Sequence, residues 1–172
     1  AAIRQAFADR FGEGFDYDRC IGRKTELQYE YIKEKGVPVK KGLSRLLDYL
    51  KEHGIRRTVA TSTDRRLADT MLERAGVRGD FDAFVYGDMV ERSKPHPDVF
   101  LKAAEEIGVP IGDCLVLEDS IAGVRAGKAA GGYIIHIPDL IVVPEEVKDG
   151  ITAQFDSLDE VIGWIESTSC SK

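Results

Sequence analysis

The sequence predicts an open α/β fold: a doubly wound parallel sheet with helices on both faces. Three observations carry that prediction. Short apolar runs alternate with amphipathic helical periods along most of the chain. The runs are continuously apolar rather than alternating, as in strands buried on both faces. Glycine closes most of the helical periods. The 172 residues fit one domain with at most a small appendage.

Each element has its own signal. Ile3, Phe7 and Phe11 fall four apart and predict a first helix, stopped by Gly12 and Gly14. It opens without a capping residue, which points to a segment upstream. Residues 15–36 are mostly polar and helical over 25–35, and Val37-Pro38-Val39 reads as an extended linker. Leu43, Leu46, Leu47 and Leu50 form a helix stripe closed by His53-Gly54, and residues 58–61 form the first strand. Leu67, Ala68, Met71, Leu72 and Ala75 make the next helix, followed by a strand at 83–86. Pro97 sits at a first helical position, ahead of Phe100, Ala103, Ala104 and Ile107. Residues 114–117 read as a third strand, 120–130 as a helix ended by Gly131-Gly132, and 133–137 as a fourth strand. Ser157 and Glu160 form a capping box for a last helix bearing Leu158, Val161, Ile162 and Ile165. Residues 168–172 are expected to be a disordered tail.

Composition excludes several classes. A net charge of −6 and a pI near 5.2 argue against nucleic acid as a partner, since a phosphate-backbone binder needs a dense basic face. The most apolar stretch, 132–143, is broken by His136, Pro138 and Asp139 and falls short of the ~18 residues of a membrane span, so no membrane partner is expected. Cys20, Cys114 and Cys170 form no Cys-x-x-Cys pair, which argues for a reducing compartment and a cytoplasmic setting. Gly123 and Gly127 are separated by three residues, not the four of a nucleotide P-loop.

In folds of this kind ligands bind beyond the carboxyl ends of the strands. Thr61-Ser62-Thr63 follows the first strand, Glu118-Asp119-Ser120 follows the third, and Ser93-Lys94-Pro95-His96-Pro97-Asp98 lies between them. Each has a bland reading: Asp119 or Ser120, and Thr63 or Asp64, as helix caps, and Lys94 as a solvated loop lysine. Together they are less bland. Two adjacent carboxylates repel unless a cation or a proton relieves them. Mg²⁺ suits hard oxygen ligands and keeps waters and a substrate phosphate. A lysine and hydroxyls opposite would hold the remaining phosphate oxygens.

Val59-Ala60-Thr61-Ser62, Ser93-Lys94-Pro95-His96-Pro97-Asp98, and Val116-Leu117-Glu118-Asp119-Ser120 with Ala122-Gly123-Val124-Arg125-Ala126-Gly127 resemble three successive motifs of the haloacid dehalogenase-like phosphohydrolases. The nearest likeness is to the β-phosphoglucomutase-like phosphatases, over residues 37–165. The resemblance implies a Rossmann-like doubly wound core with a truncated α-helical cap. It divides the chain into a partial cap (1–36), a core lacking its first strand (37–167) and the tail (168–172). It implies that Thr61 binds the transferring phosphoryl group with the Ser62 backbone, that Lys94 offsets charge on nucleophile and phosphate, and that Glu118 and Asp119 hold Mg²⁺ directly or through water. The activity implied is Mg²⁺-dependent hydrolysis of small phosphomonoesters such as sugar phosphates, through an aspartyl-phosphate intermediate, by a monomer or homodimer. A phosphomutase and a non-catalytic phosphate-binding domain are the rival readings.

One motif of that family is absent. Its nucleophile and acid/base sit in Asp-x-Asp-Gly-Thr at the end of a first strand, and this chain has no such sequence. Asp16-Tyr17-Asp18 has the spacing but follows Gly12-Glu13-Gly14-Phe15 rather than an apolar run, and Arg19-Cys20 replaces Gly-Thr, so it reads as a solvated loop of the cap. Ile21-Gly22-Arg23-Lys24-Thr25 resembles the cap's substrate loop, yet residues 37–39 arrive about one helical hairpin too soon. In the family the first strand lies between the strands that end at Thr61 and Leu117. Without it two rows of backbone groups go unpaired, at about 1–3 kcal/mol each, against a domain stability of about 5–15 kcal/mol. The expectation is that these residues are a piece of a protein that has that strand.

Overall fold

The computed structural model describes residues 2–139 and 143–169. The chain divides into two compact units between Val37 and Pro38. The first holds α1 (Ala2–Phe11) and α2 (Tyr17–Lys35). Phe7 gathers the rings of Phe11, Phe15 and Tyr17 at centroid distances of 5.7, 5.4 and 5.5 Å, and Arg4 pairs with Asp18. Asp16 caps α2 by accepting from the Arg19 N–H at 3.0 Å. Capping at Asp16 starts the helix eight residues before the polar periodicity becomes legible, so the segment 21–25 is helix rather than a loop. Arg23 there pairs with Glu26 and Glu30 of its own helix, at 3.0 and 3.6 Å.

The second unit runs α3 (Leu43–Glu52), β1 (Thr58–Ala60), α4 (Arg65–Arg74), β2 (Ala83–Val85), α5 (Asp98–Glu106), β3 (Leu115–Glu118), α6 (Ile121–Ala130), β4 (Tyr133–His136), α7 (Glu145–Lys148), β5 (Ala153–Gln154) and α8 (Leu158–Ser169). The four long apolar runs are strands and every pairing is parallel. Helices cover both faces. On one, Val99, Phe100 and Ala103 of α5 and Val124 of α6 pack with Val116 and Ile134. On the other, Leu46 of α3 and Leu158 and Val161 of α8 pack with Ile135. α8 extends to Ser169, through the first two residues of the expected tail, and residues 170–172 lie outside the described residues. No helix among the described residues is long and apolar enough to cross a membrane.

The strands form two sheets, not one. β1 pairs with β2, and β3 with β4 and β5. Between β1 and β3 lies an apolar cleft of about 860 Å³, lined by Val59 and Ala60 on one side and by Val116 and Leu117 on the other. Leu117, between buried Val116 and Glu118 on the edge strand β3, is 36% exposed. Neighbouring strands stand about 4.8 Å apart when paired, and here both inner edges face open space instead.

Candidate active site

β3 delivers Glu118 to the start of α6, and the local sequence leaves that side chain one resting place. Ser120 caps α6, accepting from the Gly123 N–H at 3.0 Å. The Ser120 hydroxyl in turn donates to Glu118 Oε2 at 3.1 Å, and the backbone N–H groups of Asp119 and Ser120 donate to the same oxygen at 3.2 and 3.3 Å. The positive end of the helix dipole favours the carboxylate there. Gly123 makes room: a Cβ at that position would lie 1.9 Å from the Glu118 carboxyl carbon.

The other oxygen, Oε1, meets the Lys94 ammonium in a direct ion pair. The two side chains are 12% and 7% exposed, so each depends on the other for compensation. Lys94 Nζ also donates to the Ala60 carbonyl at 3.1 Å and lies 4.6 Å from the centroid of the Phe100 ring. One ammonium therefore joins the carboxyl ends of β1 and β3 across the cleft. Its loop is braced by a two-pronged pair, Arg92 Nε and Nη2 donating to Asp98 at 3.1 and 2.8 Å. Arg92 holds the Asp98 carboxyl below the usual carboxylate range by those hydrogen bonds. The last residue of the Lys-Pro-x-Pro-Asp motif is thus a loop brace.

Thr61 follows Ala60 directly. Its N–H donates to the Val85 carbonyl at 3.0 Å, and its Oγ1 accepts from the Thr63 N–H at 3.1 Å. Ser62 is exposed on the same turn. Its carbonyl is pressed against Gly87, where a Cβ would lie 2.3 Å from it. Asp64 caps α4, the bland reading of that residue. Thr61, Lys94 and Glu118 thus share one rim, with Ser62 on the adjoining exposed turn.

Asp119 faces a different partner. Its Oδ2 lies 3.5 Å from Lys40 Nζ. The adjacent carboxylates therefore each have a lysine, Glu118 through Lys94 and Asp119 through Lys40, which relieves part of the repulsion inferred from their adjacency. Lys40 is the site residue that sequence reasoning missed. It lies in a linker with no motif, and only its place beside Gly42 at the head of α3 marks it. The described residues contain no group of three or more His, Cys, Asp and Glu able to enclose an ion. With Glu118 committed, the donor set is one half-exposed carboxylate. That set fits Mg²⁺, which keeps waters and takes further oxygens from a substrate phosphate, and does not fit a protein-enclosed zinc or calcium site.

A family model described as haloacid dehalogenase-like hydrolase matches residues 4–131. The bifunctional riboflavin kinase/FMN phosphatase of Arabidopsis thaliana is 38% identical over 122 residues, covering 70% of this chain and 30% of that protein. The crystal structure of CbbY from Rhodobacter sphaeroides in complex with xylulose-(1,5)-bisphosphate is 35% identical with a TM-score of 0.64, covering 70% of this chain and 55% of that one. A structure of a β-phosphoglucomutase-type protein from Thermotoga maritima is 30% identical with a TM-score of 0.66, covering 73% and 59%. This chain therefore spans between 30% and 59% of the length of these relatives.

Proposed function

Because the chain belongs to the haloacid dehalogenase-like hydrolases, we propose that it forms most of the core of a Mg²⁺-dependent phosphohydrolase of small phosphomonoesters such as sugar phosphates. The observation that carries this reading is the Lys94 ammonium shared between the Ala60 carbonyl and Glu118. It sets a fixed cation at the carboxyl ends of β1 and β3, on the carbonyl of the residue that precedes Thr61. A phosphoryl group there would meet Lys94, the Thr61 hydroxyl and the Ser62 backbone, in a preorganised setting that needs little rearrangement as charge develops. Asp119 would hold the Mg²⁺, which, when bound, offsets the charge of phosphate and nucleophile. Glu118 acts one step back, fixing Lys94. The bisphosphate bound by the CbbY structure supports sugar phosphates as the class.

The nucleophile is an aspartate on a strand that these 172 residues do not contain. The cleft between β1 and β3 supports this: it offers two parallel edges to a strand whose carboxyl end would reach Lys94. That aspartate attacks phosphorus, the alcohol leaves, and water cleaves the resulting acyl phosphate. The likeness to the β-phosphoglucomutase-type structure keeps a phosphomutase as the second reading. The absent Asp-x-Asp-Gly-Thr motif leaves the 172 residues alone as a phosphate-binding body.

The test is turnover of p-nitrophenyl phosphate with Mg²⁺, before and after Asp119→Ala. The strand-containing protein is expected to turn over and to lose at least tenfold in kcat/KM on substitution. The 172-residue chain is expected to bind inorganic phosphate without turnover. Activity unchanged by Asp119→Ala would remove the metal assignment.

A further inference from the structure

Lys40 and Lys94 stand beside the same acidic couplet but are held in different ways. Lys94 is buried and in close contact with its carboxylate. The Lys40 ammonium sits among three acceptors and is tight to none: Pro138 O at 3.4 Å, Asp119 Oδ2 at 3.5 Å and Asp139 Oδ2 at 3.8 Å. Charge-assisted N–H···O bonds are about 2.7–2.9 Å long when committed. The backbone beneath Lys40 is nonetheless firmly placed. Its carbonyl accepts from the Leu43 N–H at 3.2 Å, and the neighbouring Lys41 carbonyl accepts from Leu158 N–H at 2.9 Å. A fixed stem thus carries a head shared between two carboxylates. Beside it is a small cavity of about 170 Å³ lined by Lys40, Leu117, Glu118, Asp119 and Ile137, room for a cation with some of its water.

We propose that Lys40 is a displaceable counter-ion of the cation site. It neutralises Asp119 while no divalent cation is there and gives that carboxylate up when one binds, keeping Asp139 and the Pro138 carbonyl as its resting place. The inference rests on the reading of Asp119 as the cation-holding carboxylate and adds its regulation. The consequence is a competition: the ammonium that keeps Asp119 and Glu118 compatible also weakens cation binding. Both partners of the pair are about a third or more exposed, at 32% and 43%, so the competition is modest, of the size of an exposed ion pair.

The experiment is a MgCl₂ titration of the strand-containing protein at constant ionic strength, followed by calorimetry and by the amide signals of Asp119 and Ser120. Lys40→Met, which keeps the stem and removes the charge, is expected to bind Mg²⁺ about three- to fivefold more tightly. Lys40→Arg is expected to stay near wild type. Lys41→Met removes an equal charge from the exposed neighbouring residue and is expected to change affinity less than twofold. Asp139→Asn is expected to weaken binding in the wild-type background, by confining Lys40 to Asp119, and to lose most of that effect in the Lys40→Met background. Equal or weaker binding by Lys40→Met, or an equal gain from Lys41→Met, overturns the proposal. Asp119→Ala separates the two levels. If it abolishes binding while Lys40→Met changes nothing, the cation site stands and the counter-ion role falls. If neither wild type nor Lys40→Met binds Mg²⁺, both fall together.

Discussion

The ends of β1 and β3 are tied together, while their middles stand apart. At the rim, Lys94 spans from Ala60 to Glu118 and every oxygen of that buried carboxylate is engaged. A residue earlier, Leu117 is open to an apolar cleft. The contrast shows that the polar end of this site is assembled by side chains and a helix cap, independently of sheet pairing, whereas the apolar floor beneath it depends on a strand. The rim can therefore be in place where the sheet under it is not continuous.

The strongest way to break the contrast is Lys94→Ala. It strands a buried Glu118, and a loss of about 3–5 kcal/mol in urea unfolding is expected. A loss below about 1 kcal/mol would mean that the rim does not join the sheets. Gly123→Ala should follow, at about 1–3 kcal/mol, because the new methyl overlaps the Glu118 carboxyl group. Comparing Val116→Ala with Leu117→Ala sharpens the same contrast within one strand. The first removes a side chain 6% exposed in the core under α6 and should cost about 2 kcal/mol. The second should cost no more than about 0.5 kcal/mol in this chain, and several times that if a strand fills the cleft.

The far side of the smaller sheet offers a control away from the cleft. The Tyr86 hydroxyl donates to Asp69 at 2.6 Å and Arg78 Nε donates to the same oxygen at 3.0 Å. The Tyr86 bond first, and Arg78 after it, hold the Asp69 carboxyl below its ordinary value. A depressed folded-state pKa contributes stability that is full above the unfolded value, about 3.9, and is lost as pH falls through the folded one. Tyr86→Phe should cost about 1.5 kcal/mol near neutral pH, and its difference from wild type should narrow in unfolding curves below about pH 4. A constant difference would show that the Asp69 charge plays no part.

The order of strands and helices was legible because each long strand is an apolar run and each long helix of the core a stripe. The neighbourhood of Thr61, Lys94 and Glu118 was legible too, since motif spacing carries over into the loops after β1, β2 and β3, whereas Asp119 turns to Lys40. Other features left no such trace. β5 is two residues, Ala153 and Gln154, held by pairing with Ile135 and His136, and two residues show no period. α2 begins at a cap whose acidic pair mimics a catalytic spacing. Lys40 depends on where the chain turns before α3, which no local pattern encodes.

The contact between Gly123 and Glu118 also bears on inheritance. Every other amino acid brings a Cβ, so a missense change in that one codon collides with the carboxylate that positions Lys94, whichever base is altered. Sequencing populations that carry this gene should find codon 123 varying only in its silent third base.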